Sequence, residues 1–233
     1  MSQKKPVFMF SDSSLLFWQD GEMLFARQIL NYIDSHSPKA AYIGASNGDI
    51  DEYYQLFTAA MSGIGVTNCM KIHSQPTPEE KAFVASADII LLAGGDVFAG
   101  IDAFEASGLD NIICNRYEKG AVLIGISAGA IQLGRAYIYK SDEEEYPIEM
   151  LNILPFSLDA HDEDRDWTNL KDLMLHLENR QKGLGLPKGG GVVVQPTGKI
   201  TPIRYPAVKL VNHGMNLVMS TIPPDQIDIP VLH

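Results

Sequence analysis

Four apolar runs constrain this chain more than any other feature. "VFMF" at 7–10, "AAYIGA" at 40–45, "ADIILLA" at 87–93 and "AVLIGI" at 121–126 are each of strand length, and none alternates apolar with polar residues. A strand with one wet face alternates. A continuous run belongs to a strand covered on both faces, the condition of a parallel sheet. A further strand is expected at 191–195, "GVVVQ", followed by "KITPIRY".

Helix patterns separate these runs. Tyr54, Phe57, Met61 and Ile64 recur at three and four residues, one apolar stripe on a helix that "SGIG" ends. In "TPEEKAFVASA", Thr77 stands at the N-cap, Pro78 at the first helical position and Glu80 where a capping box needs it. Residues 167–180 carry another amphipathic pattern. The alternation predicts an α/β fold of three layers, a mostly parallel sheet with helices on both faces. No repeat or Gly/Ser linker divides the chain, and 233 residues at 45% hydrophobic can bury one sizeable core, so residues 1–233 are read as a single domain.

The formal charge of −11 argues against nucleic acid or anionic lipid as a partner, since both need clustered Lys and Arg. Small or neutral partners are expected, and the oligomeric state is left open, a homodimer included. Cys69 and Cys114 cannot make a disulfide framework, and no Cys/His spacing suggests zinc. "SDSS" cuts the first apolar run short of a signal-peptide core, so a cytoplasmic protein is expected.

Ligands of such sheets sit beyond the carboxyl ends of strands. Three features fall there: "GASNGD" after the second run, "AGGD" after the third and "GISAG" after the fourth. The first reads as a plain strand-to-helix loop. In the last, Gly125 and Gly129 flank Ser127 with the room that a strained nucleophile elbow requires, although close packing of a strand on a helix would use the same glycines. An activated serine needs a base and an orienting carboxylate. His161, in the loop-like "LPFSLDAHDEDR", and His213, in "VNHGM", are the candidate bases. Ala128 follows the serine and could supply one oxyanion-hole amide, with another from Gly94 or Gly95.

Together these segments resemble the peptidase E and cyanophycinase family of serine hydrolases, whose fold is similar to class I glutamine amidotransferases and flavodoxin-like. "AGGD" is similar to its Gly-Gly-Asn/Asp turn, "GISAGA" to its nucleophile motif, and "LNILPFSLDAH" to its segment leading to histidine. "GLGLPKGGGVVV" is similar to the family's turn before a late strand. The resemblance implies Ser127 as nucleophile, His161 as general base, Gly95 and Ala128 as oxyanion donors, and Asp142 as orienting acid, with Glu143, Glu144 and Glu145 following it in an acidic run. It implies hydrolysis of short peptides, dipeptides with N-terminal aspartate first and cyanophycin second, without metal or organic cofactor. An acidic substrate needs a basic group facing it; Arg135, Lys140, Arg165, Lys188 and Arg204 are the candidates.

Two residues depart from the family's pattern. Asp162 follows the histidine where an aromatic residue is common, and Lys188 stands where an acid is common. Two rival readings follow: an α/β-hydrolase esterase, which would use His213, and a binding or regulatory module that keeps the fold without efficient catalysis.

Overall fold

The computed structural model describes residues 4–214 and 216–224. The chain opens with β1 (Val7–Phe10), a short hairpin of β2 (Gln19–Asp20) and β3 (Met23–Leu24), then β4 (Lys39–Ile43) and α1 (Asp51–Gly63). It continues through β5 (Asn68–Ile72), α2 (Pro78–Val84), β6 (Ile89–Leu92), α3 (Val97–Ser107) and α4 (Leu109–Glu118). β7 (Val122–Ile126) leads into α5 (Ala128–Gln132), and a hairpin of β8 (Ala136–Lys140) and β9 (Glu145–Glu149) follows. The last part holds β10 (Ser157–Ala160), α6 (Thr168–His176), β11 (Lys182–Leu186), β12 (Gly191–Val194), β13 (Ile200–Ile203), β14 (Ala207–Asn212) and β15 (Leu217–Ile222).

The central sheet runs β13-β12-β1-β7-β6-β4-β5. From β1 to β5 every pairing is parallel, while β12 and β13 join antiparallel at one side. Alternate residues of its buried strands serve opposite faces. Phe8, Phe10, Tyr42, Leu91 and Ile124 pack with Phe57 and Met61 of α1 and with Phe25 and Ile29 of the 3₁₀ helix Phe25–Tyr32. Met9, Ile43, Leu92 and Leu123 pack with Ile101 and Phe104 of α3 and Ile113 of α4. This is the mostly parallel, helix-covered sheet that the continuous apolar runs require. The Thr77 capping box is formed: the Thr77 side chain accepts from the Glu80 amide and Glu80 reaches back to the Thr77 amide.

A second sheet, β10-β11-β14-β15, lies beyond the elbow helix and carries the segment that leads to His161. That segment is not a loop: Ser157–Ala160 is a fully buried strand, and His161 follows directly. The expected helix at 167–180 is shorter, ending at His176. Asn212 of β14 ends it, donating through its amide nitrogen to the carbonyls of Met174 and, at 3.0 Å, Leu177, which would otherwise be unpaired at the helix terminus.

Candidate active site

β7 delivers Ser127 at its carboxyl end with φ 49° and ψ −112°, a conformation that a residue with a side chain rarely adopts. Such strain costs about 1–3 kcal/mol and persists only where the surroundings over-determine it. Here they do. The Ser127 amide donates to the Phe10 carbonyl at 2.8 Å, and its carbonyl accepts from Ala130 and Ile131 at 2.9 and 3.1 Å. A side chain at Gly125 would come within 2.6 Å of the Ala130 Cα, and one at Gly129 would overlap the Leu92 carbonyl. Both glycines therefore bring α5 onto β6 and β7, and the serine sits on the resulting bend.

Ser127 Oγ lies 2.8 Å from His161 Nε2. His161 is itself at φ 47°, and its amide donates to the Leu186 carbonyl, so the second sheet holds it at the end of β10. The two sheets thus bring the serine and this histidine together. His213 lies exposed in the turn between β14 and β15, its amide bonded to the Asn216 carbonyl, and does not line the cavity that holds Ser127.

Gly95 follows β6 at φ 140°, and a side chain there would overlap the Ser46 carbonyl, which also accepts from the Asp96 amide at 2.7 Å. The loop after β4, read from sequence as a plain connection, therefore fixes the glycine turn from behind. Ser46 Oγ in turn accepts from the buried Gln132 side chain at 2.9 Å, which ties this loop to α5. Among the described residues, neither the Gly95 nor the Ala128 amide donates a hydrogen bond. Ala128 opens a helix, where no preceding turn offers a carbonyl.

The acidic run forms the tip of the β8–β9 hairpin. Ser141 closes that turn by accepting from the Glu144 amide and donating its own amide to the Glu144 carbonyl. Asp142, Glu143 and Glu144 are exposed, and among the described residues their carboxylates make no hydrogen bond or ion pair, with His161 or with anything else. Glu145 faces Lys140 and His176, at 3.8 Å from each. Two other carboxylates flank His161 in sequence. Asp162 is engaged by Arg165, and Asp159 is buried, with burial first and neighbouring Asp162 second pushing its pKa up to about 7.

The serine and histidine open onto a cavity of about 260 Å³, with Gly94 and Gly95 on its rim. One wall is apolar, made by Tyr42, Tyr53, Leu56 and Phe57, with Leu16 and Ile126 beside it. Among the described residues, Asp12 is the one carboxylate lining it. Burial opposes the charge of Asp12, but hydrogen bonds from the Ser14 and Gly189 amides, at 2.8 and 2.7 Å, and from Ser11 outweigh it and hold its pKa below the ordinary value. Asp12 and Asn47 were not singled out from sequence. "SDSS" offered one signal, an acid placed just past a buried strand end.

Of the five basic candidates, Arg135 bonds Gln181, Lys140 pairs with Asp172 and Arg165 with Asp162, while Arg204 lies over the Tyr205 ring at 5.0 Å. Lys188 neighbours Gly189, which grips Asp12, but no Lys or Arg among the described residues lines the cavity. No helix of the described residues is long and apolar enough to cross a membrane.

The chain has relatives among known proteins. The chain is 30% identical over 104 residues to an uncharacterized peptidase, YgaJ, of Bacillus subtilis, covering 44% of this chain and 45% of that one. It is 27% identical over 123 residues to peptidase E of Haemophilus influenzae, covering 52% and 55%. The matched stretch thus spans about half the length of these relatives. In structure the chain is similar to a crystallised peptidase from an acI-B1 Actinobacterium, with a TM-score of 0.69 at 15% identity, covering 95% of this chain and 98% of that one. It is also similar to a putative peptidase E protein from Listeria monocytogenes, with a TM-score of 0.57 at 14% identity, covering 94% and 99%. These likenesses extend over nearly the whole chain and establish the flavodoxin-like α/β fold. The sequence model of peptidase family S51 matches residues 10–200, and the chain belongs to that family.

Proposed function

We propose that the protein is a serine-type peptidase that hydrolyses short peptides, dipeptides among them, through an acyl-enzyme. The observation that carries this reading is the strained Ser127 with its hydroxyl 2.8 Å from His161 Nε2. Ser127 Oγ attacks the peptide carbonyl while His161 Nε2 takes the hydroxyl proton. The Gly95 and Ala128 amides receive the oxyanion, and neither donates to another acceptor among the described residues. His161 returns the proton to the departing amine; water, deprotonated by the same nitrogen, then releases the acid. Asp142 is the proposed orienting acid. Its hairpin has to fold toward His161 to act, as catalytic hydrogen bonds often tighten only with substrate bound. The resemblance adds N-terminal aspartate as the substrate preference, which calls for a cation that the cavity wall does not carry.

Two measurements test the serine reading. A fluorophosphonate probe is expected to label the wild type and not Ser127→Ala, and dipeptide hydrolysis is expected to fall at least about 10³-fold in that variant. Labelling that survives in Ser127→Ala would remove the serine from the mechanism.

A further inference from the structure

We infer that the cavity beside Ser127 selects substrates whose N-terminal residue is apolar or aromatic, and rejects an acidic one. The inference rests on the serine-peptidase reading for which residue enters, because the acyl-donating residue of a dipeptide places its side chain next to the attacked carbonyl.

Two features of the wall argue for it. The first is apolar surface open to solvent beside the nucleophile. Tyr53 and Leu56, on one side of α1, are 48% and 43% exposed while lining the cavity, and a substrate side chain laid on them removes that surface from water. Tyr42 completes this wall as a neutral group. Its hydroxyl accepts from the Asn47 side chain at 2.9 Å, and burial pushes its pKa up to about 12. The cavity, at about 260 Å³, suits one large side chain and lies just under the roughly 300–1,000 Å³ of sites for whole drug-sized ligands.

The second feature is charge. Asp12 is held ionised by two backbone amides and has no ion-pair partner among the described residues. A substrate carboxylate entering the same space meets that negative charge, and no Lys or Arg among the described residues lines the wall to offset it. An apolar side chain meets no such opposition, and the α-ammonium beside it is attracted to the same carboxylate.

The test separates binding from turnover. Calorimetric titration of Phe-Leu, Leu-Leu and Asp-Leu into Ser127→Ala is expected to give at least about tenfold tighter binding for Phe-Leu and Leu-Leu than for Asp-Leu. In the wild type kcat/KM is expected to follow the same order. Leu56→Arg, a change at an exposed position of α1, is expected to narrow or reverse the ratio by placing a cation on the wall. Equal affinities, tighter binding of Asp-Leu, or binding of none of the three overturns the inference. A wild type that fluorophosphonate fails to label, with the binding order intact, would instead overturn the serine-peptidase reading and leave the pocket's selectivity standing.

Discussion

The two sides of the cleft that holds Ser127 and His161 are built differently. The serine side is locked by backbone: Gly125, Gly129 and Gly95 each stand where a side chain would strike a neighbouring main chain, and Ser127 is gripped through both its amide and its carbonyl. The histidine side rests on a smaller sheet that contains a buried acid, and it is flanked by a hairpin at whose exposed tip the Asp142, Glu143 and Glu144 carboxylates have no hydrogen-bond or ion-pair partner among the described residues. On the proposed reading, the backbone is fixed where oxyanion and nucleophile would be preorganised, and the unpartnered carboxylates lie where the third member of a triad would have to come from. The contrast teaches that a close serine–histidine pair is no evidence that the whole catalytic group is equally fixed.

The largest expected effect comes from breaking the rigid side. Gly95→Ala forces a side chain against the Ser46 carbonyl at a φ of 140°, so the turn must move and take the Gly95 amide with it. A loss of about 10²–10³-fold in kcat is expected, with fluorophosphonate labelling slowed alongside it. A Gly95→Ala enzyme with wild-type kcat would show that this amide is not an oxyanion donor.

The hairpin side should respond more gently and more selectively. Asp142→Asn is expected to lower kcat/KM about 10²-fold, while Glu143→Gln and Glu144→Gln each change it less than about threefold. Similar losses in all three variants would mean that the run acts through its summed field, and no loss in any would make the serine and histidine a self-sufficient pair.

The smallest effect concerns stability rather than rate. Asp159 holds its proton more tightly in the folded chain, with a pKa near 7, than an ordinary carboxyl does. The stability this confers is present below about pH 4 and is lost as pH rises through 7, a span worth at most about 4 kcal/mol. The melting temperature should therefore fall between pH 5 and 8, and Asp159→Asn should flatten that slope and raise the melting temperature at pH 8. An unchanged slope in the variant would place the titrating group elsewhere.

The same division decided what could be read from sequence. The central sheet was legible because residues such as Phe8, Ile90 and Leu123 are buried whichever face they serve, so its strands read as unbroken apolar runs. The second sheet was not. β10 buries Ser157 and Asp159 beside Leu158, and that polarity made a strand look like a loop. In β11, Gly183 and Gly185 stand where Leu170 and Trp167 press against the backbone, which removes the β-branched signal that marks strands elsewhere. At the site, Ser127 was marked by its flanking glycines, whereas the choice of His161 over His213 and of Gly95 over Gly94 came from the family resemblance. Asp12 and Asn47 were not legible, because they lie on loops that only the strand order of the sheet brings to the cavity.

That strand order also bears on how the chain reaches its native state. β1 lies between β7 and β12, paired with Val122–Ile126 on one side and with Gly191–Val194 on the other. Both partners are distant in sequence, and the second edge is covered only by the strand at 191–194. Pairing across so much sequence is slow, and the intermediate that waits for it presents an open, wholly apolar strand to its surroundings. The backbone anchor of Ser127, the Phe10 carbonyl, belongs to that strand, so the bend that carries the serine should be among the last features to form during refolding.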